Sequence, residues 1–312
     1  GRQGSYDRFR GRIMFPVCDS NGRVIGYSAR LLPTEEANPE AGGKYINTPQ
    51  TSVYNKGEVL YGLDRAKMAI RKADAAIVVE GNMDVIASHR VGVINAVASS
   101  GTALTREQVH LLRRFTRTIV LAFDAAPAGE SAAKRGIDIA LEEGMRIRVI
   151  TLPEGAGKDP DDCIRKDPEL WRQAIAGARP IMEFYMERLF GRGNLGMSQR
   201  ADAERAFLRE LAKISDELEH AHWIRRLSEL YGTPEPLLHD VLRGFGKKRP
   251  VQQVRETARP IPQKTRAELL AERTLAALLI APHEARALAE RVTPEMMEPQ
   301  TLRTLYVELV SL

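Results

Sequence analysis

Cysteine is nearly missing from this chain. Cys18 and Cys163 stand far apart among 312 residues with no Cys-x-x-Cys pair, which excludes a disulfide framework and a cysteine zinc site. Both read as ordinary thiols in a reducing cytoplasm. No apolar run reaches membrane-spanning length, and residues 1–20 lack the pattern of a secretory leader, so no membrane partner is expected. A large excess of one charge is also lacking. Lys and Arg number 46 against 41 Asp and Glu, a net +5, compatible with a polyanionic partner without requiring one. There is no initial Met. The chain starts Gly1-Arg2-Gln3 and stops at Leu312 inside a periodic helical pattern, so it reads as a piece of a longer protein.

What is present is enough for two or more domains, with 43% hydrophobic and 28% charged residues. Residues 11–32 predict a β-hairpin, Ile13 to Val17 turning at Asn21-Gly22 into Val24 to Leu31. A Glu-, Pro- and Gly-rich loop over 33–43 leads to an extended Lys44–Pro49. Arg10, Arg12, Arg23, Arg30, Lys44, Tyr45, Tyr54 and Lys56 cluster in this part. They suit a groove where cations meet phosphates and aromatic rings meet bases, although these residues alone favour the solvated face of a small sheet.

From residue 76 strands and helices alternate: strands at 76–80, 93–97, 118–123 and 146–152, the last one, and helices at 83–90, 105–115 and 128–144. That order implies a parallel sheet flanked by helices. Helices follow at 169–177, 181–190, 199–215, 217–231 and 235–243. The expected divisions are 1–75, a basic N-terminal mixed α/β subdomain; 76–167, the α/β domain; 168–245, a helical bundle; 246–264, a Pro-containing polar linker; and 265–312, a partial helical unit.

Carboxylates stand where these apolar strands end. Glu80-Gly81-Asn82-Met83-Asp84 follows the first, Phe123-Asp124-Ala125-Ala126-Pro127-Ala128-Gly129 the third, and Asp159-Pro160-Asp161 the fourth. Ligands of open parallel sheets bind at this edge, and oxygen donors suit a hard cation such as Mg²⁺. In an extended segment residues i and i+2 share a side, so Asp159 and Asp161 would face one centre. Asp124 has no such companion, because Ala126 occupies that place. Asp84 reads equally as a helix-start carboxylate favoured by the helix dipole.

These motifs resemble the Toprim module over residues 77–165. The flanks Tyr6–Pro16, Gly22–Gly26, Lys44–Pro49 and Tyr61-Gly62-Leu63 resemble the RNA polymerase core of DnaG-type bacterial primases over about residues 6–245. The segment after the linker resembles, more weakly, the start of their helicase-binding domain. The resemblance implies a Toprim fold and synthesis of RNA primers from ribonucleoside triphosphates on single-stranded DNA, with Mg²⁺ or Mn²⁺ as cofactor. Glu80, Asp84 and Asp124 would be catalytic, with Glu80, Asp124, Asp159 and Asp161 on the metal. Arg12, Arg30, Lys44, Tyr45 and Lys56 would bind DNA. It further implies a bacterial, cytoplasmic, nucleoid-associated protein that docks a replicative hexameric helicase through its C-terminal part; a monomer is the default expectation. Zinc is expected only in an N-terminal domain that this sequence does not contain.

Ala126 departs from the family pattern, which has Asp there. A folded chain with weak or absent primer synthesis is expected, and substitution to Ala amid intact neighbours points to engineering. Two alternatives accompany the primase reading. One is a nuclease or topoisomerase built on the same module, for which residues 1–75 offer no nucleophilic or accessory element. The other is a scaffold that binds DNA and helicase without catalysis.

Overall fold

The computed structural model describes residues 7–35, 38, 42–101, 103–122, 127–191, 195–246, 270–271, 274–275, 292–297 and 300–311. They fall into two units, Gly1–Lys247 and Lys248–Leu312.

In the first unit β1 (Arg12–Cys18), β2 (Val24–Leu31) and β3 (Tyr45–Asn47) form an antiparallel sheet in that order. The expected hairpin turns where Asp19 Oδ1 accepts from the amides of Asn21 and Arg23 at 2.8 and 3.0 Å, with Gly22 at φ +85°. After α1 (Leu63–Ala73) comes a second sheet, ordered β5-β4-β6-β7-β8: β4 (Ala76–Val79), β5 (Ala96–Ala98), β6 (Thr118–Leu121), β7 (Arg146–Val149) and β8 (Arg179–Pro180). The first four strands are parallel, joined by α2 (Asn82–Arg90), α3 (Arg106–Arg113) and α4 (Pro127–Glu142).

Three local expectations need correction. The sheet is mixed rather than wholly parallel, because the two-residue β8 pairs antiparallel with β7 at Arg148 and Val149; a run this short carries no periodicity. The strand expected over 93–97 begins at Ala96, since the Val93 amide still bonds the Ser88 carbonyl and closes α2. Residues 160–166 are a helix, α5 (Pro160–Lys166), where an extended loop was expected.

All of β4 is buried, and alternation splits it between two cores. Ala76 and Val78, with Val97, Ile119 and Leu121, face a core that α1, α3, α4 and the later helices complete; Ile77 and Val79, with Ala96, Ala98 and Val120, face α2, α5 and α6 (Pro168–Ala176), with Trp171 fully buried. The helices α7 (Ile181–Phe190), α8 (Met197–Leu211), α9 (Glu217–Tyr231) and α10 (Glu235–Gly246) share the first core through Phe207, Leu211, Ile224 and Leu227, and Phe190 stacks on Tyr231 at 4.4 Å. The helical part is thus continuous in packing with the sheet across residue 168. In the second unit Ala271, Leu275, Met297 and Tyr306 form a small core around α11 (Gln300–Ser311). The linker expected over 246–264 lies outside the described residues except Gly246.

A charged staple joins α4 to α8. Lys213 Nζ sits 2.6 Å from Glu210 and 2.7 Å from Asp138, and Lys134 Nζ 2.7 Å from Glu210. Burial alone would raise the Glu210 carboxyl, but the hydrogen bonds from Lys134 and Lys213 outweigh it and hold it below its ordinary value. A lowered carboxyl contributes stability above its unfolded value and loses it as pH falls through the folded one. The urea midpoint should therefore decline as pH drops below about 4.5, the ordinary glutamate value. Glu210→Gln should lower the midpoint at pH 7 and flatten that acid limb.

Candidate active site

Among the described residues, three loops build the carboxyl edge of the parallel strands. The first leaves β4 through Glu80 and Gly81 and enters α2 at Asn82. Glu80 is half-buried, while Asp84 inside the first turn of α2 is 7% exposed. A carboxylate buried this far must be partnered. Its Oδ2 accepts from the Gly81 amide at 3.0 Å and its Oδ1 from the Asp161 amide at 3.2 Å. Asp84 therefore ties the turn carrying Glu80 to the N-terminus of α5, 77 residues away in sequence. Its observed hydrogen bonds position the loops.

The second loop carries Asp159 and Asp161. Asp159 is the N-cap of α5, its Oδ1 accepting from the Asp162 amide at 2.8 Å, and Pro160 takes the first helical position. Asp161 therefore lies in the first helical turn, so the i, i+2 geometry of an extended segment does not apply. Its carboxylate pairs with Arg165 one turn on, the Arg165 Nε at 3.1 Å from Oδ1. Arg165 is well exposed, which makes the pair weak and displaceable. Gly157 enters this loop at φ +129°, and a Cβ there would fall 2.6 Å from the Asp162 Cβ, so the approach needs glycine.

The third loop follows β5, where Ser99 is buried and the Gly101 amide donates to the Glu80 carbonyl at 3.3 Å. Asp124 and Ala126 lie outside the described residues. Carboxylate oxygens suit a hard divalent cation, so the chemistry of the donor set fits. Among the described residues, however, no three His, Cys, Asp or Glu side chains gather as a metal ion would need. Nor is any helix among them long and apolar enough to cross a membrane.

The basic candidates divide. Arg12 donates to the Gly43 carbonyl at 2.8 Å and braces β1 against the segment before β3. Arg30 lies over the exposed Tyr45 ring, 5.9 Å from its centre, beside the exposed Lys44. Lys56 belongs to a short turn fastened to α3: Thr105 Oγ donates to the Gly57 carbonyl at 2.5 Å, and the buried Gln108 side chain donates to the carbonyls of Lys56 and Val59 at 3.2 and 2.8 Å. Burial holds the Lys56 ammonium below its ordinary value.

With this geometry in view, the likeness to known proteins is specific. Residues 1–67 match the DNA primase catalytic core, N-terminal domain; residues 77–164 match Toprim-like; and residues 182–235 match the DnaB-helicase binding domain of primase. A crystal structure of a DNA primase domain from Pseudomonas aeruginosa is 35% identical, with TM-score 0.65, over 76% of this chain and 74% of that one.

This chain belongs to the bacterial DnaG-type primase family.

A DnaG primase catalytic domain solved bound to single-stranded DNA is 33% identical, with TM-score 0.64, over 74% of this chain and 73% of that one. The DNA primase of Clostridium acetobutylicum is 38% identical over 238 residues, and that of Synechococcus elongatus 40% over 235. These cover 76% and 73% of this chain but only 38% and 33% of the curated primases, so the chain spans little more than a third of their length. The primase helicase-binding match falls on α7 to α9, ahead of the segment after 264 where the sequence reading looked for it.

Sequence reasoning missed Arg165, Asn82 and Ser100 at this edge. Arg165 was reachable: Asp159-Pro160 is an N-cap followed by proline at N1, and once the helix is recognised Arg165 falls four residues after Asp161. Asp84→Ala should leave the Gly81 and Asp161 amides short of an acceptor and cost about 1–3 kcal/mol per amide left unpaired. Urea unfolding would measure this, and Asp84→Asn, which keeps one acceptor, should cost less.

Proposed function

We propose that this chain is the polymerising core of a primase, joining ribonucleoside triphosphates into short RNA primers on a single-stranded DNA template by metal-dependent nucleotidyl transfer. The observation that supports it most is the convergence of the Glu80 turn and the α5 N-terminus on one buried clamp, Asp84, at the ligand-binding edge of the sheet. The N-terminal match to a primase catalytic core favours this over a nuclease or topoisomerase.

Mg²⁺ or Mn²⁺ would be held by Glu80, Asp124, Asp159 and Asp161, and when bound would neutralise phosphate charge and lower the pKa of the attacking 3′-hydroxyl. The protein's own contribution is positioning. Glu80, at the strand end, would accept the hydroxyl proton or orient the group that does. Asp159 is fixed by its capping bond. Asp161, which pairs with Arg165 here, would help hold the cation, while Arg165 would face phosphate oxygens. Asp84 keeps the two loops in register while this happens. Arg30, Lys44 and Tyr45 on the small sheet would carry the template, its phosphates on the cations and a base on the ring, while Arg12 shapes that sheet and Lys56 lies between it and α3. Residues 182–235 would contribute to docking the replicative helicase. The setting would be the bacterial cytoplasm, in association with the nucleoid, and the chain would act as a monomer.

Ala126 favours a second reading, a chain that binds template and helicase but does not polymerise. Losing even a supporting partner of a metal ligand costs about 10–100-fold. Ala126→Asp should therefore raise Mg²⁺- or Mn²⁺-dependent RNA synthesis on single-stranded DNA by at least about tenfold, and Glu80→Gln in that background should abolish the gain. No synthesis from either chain, with DNA binding retained, would favour the scaffold.

Template binding is tested separately. Lys44→Ala should weaken single-stranded DNA binding across sequences and reduce the slope of log affinity against log salt by about 0.7 if it contacts one phosphate. Tyr45→Ala should lose about 1–3 kcal/mol with little change in slope. Fluorescence anisotropy over a salt series distinguishes the two.

A further inference from the structure

Opposite the Asp84 clamp, the Glu80 turn has a second attachment. Ser100, just after β5, stands at φ +58°, in the left-handed region that side-chain-bearing residues seldom occupy. Its hydroxyl donates to Oδ1 of Asn82 at 2.8 Å, and Asn82 is 4% exposed. The next residue, Gly101, at φ +81°, sends its amide to the Glu80 carbonyl at 3.3 Å. No neighbouring atom lies within 4 Å of where a Cβ on Gly101 would be, so side contacts on that face do not hold the loop. Two bonds fasten it to residues 80 and 82, one on each side of Gly81.

Strained backbone persists only where the surroundings over-determine it, and such strain gathers at functional sites. Ser100 fits that pattern. Its left-handed turn directs the hydroxyl to Asn82 and the following amide to Glu80, so the loop after β5 grips the start of α2 from one side as Asp84 grips it from the other. We propose that Asn82 and Ser100 are positioning residues that, through the Gly101 amide, hold Glu80 in its working orientation. The inference rests on the primase reading for the role of Glu80, while the grip itself is independent of it.

Amide hydrogen exchange of Gly101 tests the grip, and primer synthesis in the Ala126→Asp background tests its use. Ser100→Ala removes the hydroxyl and keeps the strained backbone; Ser100→Gly removes both. In each, and in Asn82→Ala, Gly101 protection should fall roughly 2- to 10-fold, as expected for one lost hydrogen bond. kcat should fall by about 10–100-fold with KM for nucleotide and the salt slope of DNA binding unchanged. The double variant Asn82→Ala with Ser100→Gly should be no worse than either alone, because the two act as one unit. Unchanged Gly101 protection in all three single variants would overturn the proposal whatever the activity. Reduced protection with kcat unaltered would also overturn it, leaving the pair a loop fastening only. Reduced protection in a chain that makes no primer even with Ala126→Asp would sink the primase reading and leave the grip standing.

Discussion

Burial of β4 on both faces is the constraint from which the rest follows. Four consecutive residues, Ala76–Val79, are covered on one side by α1, α3, α4 and the later helices and on the other by α2, α5 and α6. A strand enclosed in this way admits no charge along its length. The first position where a carboxylate can stand is its carboxyl end, at Glu80. The neighbouring parallel strand β5 is enclosed too, so Ser99 and Ser100, which follow it, emerge at the same edge.

Emergence at one edge does not bring loops into register. That is the work of Asp84, whose carboxylate accepts the Gly81 and Asp161 amides, while Asp159 caps the start of α5. Anions in such positions are favoured by the helix dipole as well as by the bonds themselves. A buried carboxylate of this kind is expensive to strip of its partners, which makes Asp84 a stiff link between the Glu80 turn and α5. Arg165, in contrast, is an exposed partner, and exposed ion pairs exchange readily. The edge therefore combines carboxylates fixed by backbone amides with one, Asp161, paired to an exposed arginine.

The N-terminal sheet adds a second surface with its own logic. Arg12 is engaged with backbone carbonyls and Lys56 is partly withdrawn from water beside α3, whereas Lys44 and Tyr45 remain exposed on one strand and its approach. Basic residues of this N-terminal part thus divide into those engaged with its framework and those left exposed.

The alternating apolar strands and helices and the hairpin at Asn21-Gly22 were determined by sequence alone, because each is a local preference written in neighbouring residues. So was the family likeness, and the candidate carboxylates were named from the same motifs. Helix α5 was also written there, in Asp159-Pro160, but an Asp-x-Asp spacing read as extended concealed it. Only the tertiary structure decided that β8 closes the sheet antiparallel, that α7 to α10 share a core with β4, and that Asp84 spans to Asp161 and Ser100 to Asn82. Those contacts join residues far apart in the chain, and nothing in a residue's neighbours records which distant amide or hydroxyl will fold against it.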